Sequence, residues 1–244
     1  MIADFTALTP RLLPLVAEGL SYEVRGARLI DGIDLRLDDP GVTVVMGPNG
    51  AGKSLLLRLM HGLLEPSVGR LRWNGVVVDE TVRRRQALVF QRPVLLRRSV
   101  RANVEFVLRL RTGAQTQSAM HWLEHVGLAE VAERPARRLS GGEQQRLAMA
   151  RALALEPEVL LMDEPTASLD PASVATIEAL VDEARQVGTK VVFVTHDIGQ
   201  ARRLADEVLF LHRGRLVEHT AAATFFNEPA SSAARDYLAG RLVL

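Results

Sequence analysis

Several short stretches of this chain are apolar almost without a break. "GVTVVMG" (41–47) is β-branched and ends in glycine, which reads as a buried strand. "EVLLMDEP" (158–165) reads as a strand covered on both faces. "QALVF" (86–90) and "KVVFVTHD" (190–197) are further strands. Two hairpins are expected, "GRLRWNGVVVD" (69–79) turning at Asn74-Gly75 and "EVLFLHRGRLVEH" (207–219) turning at Arg213-Gly214. Between these runs the spacing turns helical. Helices are predicted over "KSLLLRLMHGLL" (53–64), from Gly141 to Leu155, from Pro171 to Gln186 behind Asp170, over "IGQARRLA" (198–205), and in two short pieces at the end. From about 92 to 138 the pattern is helical and arginine-rich, an inserted helical lobe. Strands alternating with helices predict an α/β fold with a mostly parallel sheet.

Composition narrows the picture. The 244 residues are 48% hydrophobic with a formal net charge of +1, enough for one large α/β domain and a small lobe. That balance gives no bulk drive toward nucleic acid or anionic lipid. The absence of cysteine excludes disulfides and thiolate metal sites and suits a reducing compartment. No apolar run approaches the ~20 residues that cross a bilayer. The first residues make a poor secretion signal and read as a loose lead-in over 1–14, so a cytosolic protein is expected. Of 30 basic residues only Lys53 and Lys190 are lysines, which makes Lys53 conspicuous.

Lys53 falls in "GPNGAGKS" (47–54), which fits G-x-x-x-x-G-K-[ST] and lies between a predicted strand and a predicted helix. Gly47, Pro48, Asn49, Gly50, Ala51 and Gly52 form a loop whose backbone N–H groups can face phosphates. Lys53 then supplies charge, and Ser54 offers a hydroxyl to Mg²⁺. Asp163 and Glu164 end an apolar strand at the edge where open parallel sheets bind ligands. Asp163 suits Mg²⁺, and Glu164 suits the base that polarises an attacking water. Standing alone, that pair would be a solvated turn. A second anion-binding pattern follows at Ser140-Gly141-Gly142, a helix start with a hydroxyl and free N–H groups.

With these motifs in view, the chain from about residue 15 onward resembles the ATP-binding subunit of an ABC transporter. "LSGGE" (Leu139, Ser140, Gly141, Gly142, Glu143) resembles that family's signature. The resemblance implies an ABC-type core with an antiparallel β subdomain and a helical subdomain at about 92–140. It implies that Tyr22 stacks on adenine, that Gln91 touches Mg²⁺ and senses the permease, that Asp170 crosses a dimer interface, and that His196 contacts the γ-phosphate. Each has a plainer reading: a strand tyrosine, a solvated strand end, a helix N-cap and a satisfied histidine. It also implies an ATPase using ATP and Mg²⁺, in which two copies pair head to tail. The signature of one copy then faces the phosphate loop of the other, which accounts for two phosphate sites in one chain. Integral membrane permease subunits, and indirectly a periplasmic solute-binding protein, are implied partners at the cytoplasmic face of the inner membrane; no nucleic acid is implied.

Two positions depart from the family pattern. Glu143 stands where glutamine is commonest, and Leu55 follows Ser54 where threonine is common. Neither removes Lys53, Glu164 or His196, and hydrolysis is expected. The segments "QRPVLLRRSVRANV", "THDIGQARRLADEVLFLHRGRLVEH" and "ATFFNEPASSAARDYLAG" resemble the ATPases of bacterial oxyanion importers, tungstate-type first and phosphate-type next. The alternatives are an efflux or lipid-trafficking ATPase and a non-transport ABC protein.

Overall fold

The computed structural model describes residues 11–110 and 117–241. Expectations for 1–10 and for 111–116 of the helical stretch lie outside the described residues. Six strands build the main sheet: β3 (Gly41–Met46), β6 (Gln86–Val89), β7 (Val159–Asp163), β8 (Lys190–Val194), β9 (Glu207–His212) and β10 (Arg215–Ala221). Their order is β10-β9-β3-β8-β7-β6, parallel throughout except for the antiparallel edge β10. The central strands show no hydrophobic alternation because both of their faces are covered, and every residue of β3, β7 and β8 is buried. Successive residues nonetheless enter different cores. Val44, Met162, Phe193 and Phe210 face one side, and Val45, Leu161, Val192 and Leu209 the other.

The first side is covered by α3 (Val100–Leu110), α4 (Ala119–His125), α5 (Gly141–Leu153), α6 (Pro171–Gln186), α7 (Ile198–Leu204), α8 (Ala222–Asn227) and α9 (Ser232–Leu238). The second is covered by α1 (Lys53–His61), α2 (Glu80–Arg84) and a separate antiparallel sheet. That sheet comprises β1 (Leu15–Val24), β2 (Ala27–Leu37), β4 (Val68–Trp73) and β5 (Val76–Val77), in the order β2-β1-β4-β5. Both expected hairpin turns carry two consecutive positive φ angles, at Asn74-Gly75 and Arg213-Gly214, as tight turns between right-twisted strands require.

Three features differ from the sequence reading. Residues 92–99 are not helical. The buried Asn103 fixes them as an irregular strap, accepting the N–H of Leu96 at 2.8 Å and donating to the carbonyls of Leu96 and Ser99. Residues 11–14 are not a loose lead-in. Leu12 is buried in the second core, its N–H reaches Glu158 at 2.9 Å, and the carbonyl of Pro14 accepts the N–H of Asn74. Finally, α2 is a single short helix that the spacing did not announce, held by Asp79 capping the N–H of Val82.

The amino end of the main sheet is fastened by one carboxylate. Glu207 of β9 meets Lys190 of β8 at 3.0 Å, the Thr43 hydroxyl of β3 at 2.5 Å and His219 of β10 at 2.7 Å, joining four adjacent strands. Partial burial alone would raise the acid's pKa. Bonds from His219 and Thr43 and the charge of Lys190 overcome burial and lower it to about 2. A depressed acid stabilises the fold above its unfolded pKa, and that contribution is lost as pH falls toward the folded value. Thermal melts of Glu207→Gln should therefore show a lower Tm than the parent at pH 7. The difference should shrink between about pH 4.5 and pH 2.

Candidate nucleotide site

Strand β3 ends at Met46, and the chain then winds into the 47–52 loop before α1. Gly47, Gly50 and Gly52 have φ of 141°, 79° and 100°, the left-handed region that turns successive N–H groups inward. At Gly47 and Gly52 the loop has no spare room on its outer side. A Cβ on Gly47 would lie 2.1 Å from the carbonyl oxygen of Leu211, and one on Gly52 would lie 2.7 Å from Cδ1 of Ile30. The Arg213-Gly214 turn holds the loop from outside. The Gly214 N–H donates to Ala51, its carbonyl accepts from Asp31, and Asp31 pairs with Arg215 at 2.6 Å.

Lys53 opens α1 and is buried. Its ammonium donates to the carbonyls of Gly47 at 2.8 Å and Pro48 at 3.2 Å. Desolvation pulls its pKa below the usual lysine range, while Glu164 and Asp163 pull it back up. The Ser54 hydroxyl donates to Asp163 at 2.7 Å across the gap between α1 and β7. Burial pushes the Asp163 carboxyl above its ordinary range, against the Ser54 bond and the charges of Arg58 and Lys53. Hydroxyl and carboxylate oxygens together suit Mg²⁺, which takes one or two protein oxygens and completes its shell with phosphate and water. Denser metal-holding groups of His, Cys, Asp and Glu are absent among the described residues.

Glu164 follows Asp163 with φ of 46°, a conformation that a non-glycine residue holds only when its surroundings impose it. Here the imposing bond is its N–H to the carbonyl of Val194 on β8. Its carboxylate lies 3.2 Å from Nδ1 of the exposed His196. A cavity of ≈ 200 Å³ opens beside this pair, lined also by Ser168, Leu169 and Thr195. A separate cavity of ≈ 540 Å³ between α4 and α6 touches none of these residues.

The structure thus brings Gly47, Lys53, Ser54, Asp163, Glu164 and His196 together. Gln91 leaves β6 two residues after Val89, which pairs with Met162, so it emerges level with Glu164 one strand away. Among the described residues no hydrogen bond joins it to Ser54 or Asp163. Tyr22 is half-buried in β1 opposite Ile30, one strand removed from the loop. Leu139 is buried, while Ser140 and Gly141 are exposed. Ser140 and Glu143 form a reciprocal capping box: the Glu143 carboxylate accepts the Ser140 N–H at 2.7 Å, and the Ser140 hydroxyl accepts the Glu143 N–H at 3.3 Å. The backbone and hydroxyl of Ser140 hold the Glu143 carboxyl below its usual range. Gly142 is pressed on Ser173, whose Oγ would lie 2.3 Å from an added Cβ; Asp170 caps α6 by accepting the N–H of Ser173 at 3.0 Å and also accepts that hydroxyl at 2.6 Å. The signature and the 168–170 loop are therefore one packed unit.

Loop, lysine, serine and paired carboxylates at the carboxyl edge of a parallel sheet define a P-loop nucleotide-binding protein. The family model described as ABC transporter matches residues 30–167, more than half of the chain. The phosphate import ATP-binding protein PstB 2 of Natronomonas pharaonis is 37% identical over 94% of this chain and 87% of its own length. The tungstate uptake system ATP-binding protein TupC of Peptoclostridium acidaminophilum is 38% identical over 84% of this chain and 98% of its own. Among solved structures, CbiO1 from Clostridium perfringens, part of an ABC transporter complex, shares 30% identity at a TM-score of 0.77 over 89% of this chain and 91% of that one. A dimeric ATP-binding cassette in a post-hydrolysis state with ADP and Pi shares 27% identity at a TM-score of 0.77, covering 85% of this chain and 98% of that one. The chain belongs to the ABC transporter family; it is an ATPase that binds ATP with Mg²⁺, and ABC ATPases of import systems dimerise and work with membrane permease subunits. No helix among the described residues is long and apolar enough to cross a membrane.

Two alanine variants separate the loop's packing from its conformation. Gly47→Ala meets a backbone oxygen that cannot yield and should cost about 3 kcal/mol, whereas Gly50→Ala meets nothing within 4 Å and should cost about 1 kcal/mol of left-handed strain. Urea unfolding of the two purified variants measures the difference.

Proposed function

We propose that this chain powers a bacterial oxyanion importer, with tungstate the first solute to test and phosphate the second. The observation that carries the proposal is identity of 37–38% over most of the chain to ATPases named for phosphate import and tungstate uptake. The ABC-type domain is taken as residues 15–244, with the helical subdomain at about 92–140. It works at the cytoplasmic face of the inner membrane, and a periplasmic solute-binding protein delivers the anion to the permease.

In this reading Tyr22 stacks on adenine, and the 47–54 loop cradles the phosphates through its N–H groups. Lys53 transfers its ammonium from the loop's own carbonyls to the β- and γ-phosphates. Ser54, Asp163 and Gln91 hold Mg²⁺, which neutralises charge on the phosphates. Glu164 takes a proton from the attacking water, and His196 steadies the γ-phosphate while bonded to Glu164. Leu139, Ser140, Gly141, Gly142 and Glu143 of one copy close over the nucleotide of the other, with Asp170 at the seam. Because the capping box occupies the N–H groups of Ser140 and Glu143, the free donors there are those of Gly141 and Gly142. Hydrolysis removes the γ-phosphate that joins the halves, and the dimer reopens. The permease sits over residues 90–104. Supporting this is a groove of ≈ 380 Å³ lined by Phe90, Pro93, Val94 and Leu96, beside buried polar atoms of Gln86 and Arg151 that have no hydrogen-bond partner among the described residues.

Glu164→Gln should bind ATP, lose at least about 100-fold in turnover and run as a dimer on size exclusion with MgATP. Adding Ser140→Arg should return it to monomer with ATP still bound; a dimer that persists overturns the sandwich. For the solute, a deletion strain should lose uptake of radiolabelled tungstate. Loss of phosphate uptake with tungstate uptake intact would shift the assignment to phosphate.

A further inference from the structure

Glu164 and His196 sit on two loops that leave the neighbouring strands β7 and β8. The first loop turns twice in succession. The Glu164 carbonyl accepts the N–H of Ala167 and the Thr166 carbonyl accepts that of Leu169, both at 3.2 Å, with left-handed backbone at Glu164 and Ser168. The second loop runs into α7, where the Thr195 hydroxyl accepts the N–H of Asp197 at 3.0 Å and the Asp197 carboxylate accepts the N–H of Gln200 at 2.9 Å. A side-chain bond joins the two loops: the Thr166 hydroxyl donates to Oε1 of Gln200 at 2.9 Å. Gln200 is only 1% exposed, and both ends of its amide are used. Its Nε2 donates to Glu178 on α6 at 3.0 Å, and Arg203 holds Glu178 from the other side through bonds of 2.9 and 2.7 Å. Those arginine bonds keep the Glu178 carboxyl below its usual range, so it is an acceptor and the amide must turn its nitrogen toward it. The amide oxygen is thereby left facing Thr166.

We infer that the Thr166–Gln200 bond sets Glu164 and His196 at their working separation, which makes Thr166 and Gln200 positioning residues for ATP hydrolysis. The inference rests on the roles proposed above for Glu164 and His196. Thr166 lies two residues past Glu164, and Gln200 four residues past His196. Their bond therefore closes a ring with the 3.2 Å contact between Glu164 and His196, and both line the ≈ 200 Å³ cavity beside that pair. His196 is exposed and Glu164 keeps an uncommon φ, so burial alone does not frame them. Packing of α7 on α6 is already secured by Gln200, Glu178 and Arg203. The Thr166 hydroxyl adds nothing to that union; it reaches across instead to the loop that carries the base. A satisfied buried amide holds its geometry tightly, because any shift leaves a polar group without a partner.

The test compares Thr166→Val, which keeps the shape and removes the hydroxyl, with Thr166→Ser, which keeps the hydroxyl, both in the full chain. Thr166→Ala replaces the valine variant should that one melt early. The valine variant should show a Tm within a few degrees of the parent and a Kd for a fluorescent ATP analogue within about twofold. Its kcat should fall about three- to tenfold, the range for losing one hydrogen bond, while the serine variant stays within about twofold of the parent. In a Glu164→Gln background the valine change should lower the residual rate no further, because the hydroxyl acts through Glu164. A folded valine variant with parental kcat overturns the inference, as do equal losses in the valine and serine variants or a fall in kcat that tracks only the unfolded fraction. A fast valine variant beside an inactive Glu164→Gln variant strikes this inference alone. A Glu164→Gln variant that turns over at the parental rate strikes the base assignment instead.

Discussion

The bond between the Lys53 ammonium and the carbonyls of Gly47 and Pro48 is the constraint from which the site follows. A buried cation needs oxygen on every side that water has left. Before nucleotide arrives, the loop's own backbone supplies that oxygen, and two carboxylates beyond it supply opposite charge. The loop must therefore curl around its own lysine, which forces left-handed backbone at three glycines. It must also be clamped from outside so that the curl does not relax, which explains why Leu211, Gly214 and Ile30 press on it from three separate strands or turns. A site of this kind is preorganised for phosphate because it already holds the shape that phosphate needs.

The sheet divides its labour between its two ends. At the amino end Lys190, Glu207, His219 and Thr43 satisfy one another. At the carboxyl end Asp163 is held in its less favoured ionic surroundings, Glu164 has an uncommon φ, and His196 stands in solvent. Fixed charge with complete pairing stabilises; fixed charge with incomplete pairing is poised for a substrate. Both ends use a lysine, the only two in the chain, and the contrast in their partners separates a structural role from a functional one.

Most of the fold could be read from sequence because its strands are short, apolar and bounded by glycine, and its long helices carry caps that spacing exposes. Pro171 behind Asp170 marks α6 to the residue. The phosphate loop, Asp163 and Glu164 were legible for the same reason: their chemistry depends on neighbours in the chain. The strap at 92–99 was not, because its conformation is imposed by one buried side chain, Asn103, acting on backbone up to seven residues earlier. Strands β1 and β2 were blurred by register shifts that break strict alternation.

The separation of Ser140 from Lys53 carries the last step. Within one chain the signature is fastened to α6 through Gly142, Ser173 and Asp170, and it keeps two exposed faces, at Ser140 and Gly141. A helix start that is rigidly held and turned to solvent has free donors with nothing of its own chain to receive them. In the proposed ATP sandwich the missing acceptor is the nucleotide of the other copy. The Glu143 carboxylate meanwhile occupies the Ser140 N–H with a negative charge. On the proposed arrangement, closure on a triphosphate would proceed against that charge, and its strength would depend on how fully Lys53 and Mg²⁺ had neutralised the phosphates beforehand. In that proposal, charge balance in one copy's loop governs whether the other copy's signature can close over it.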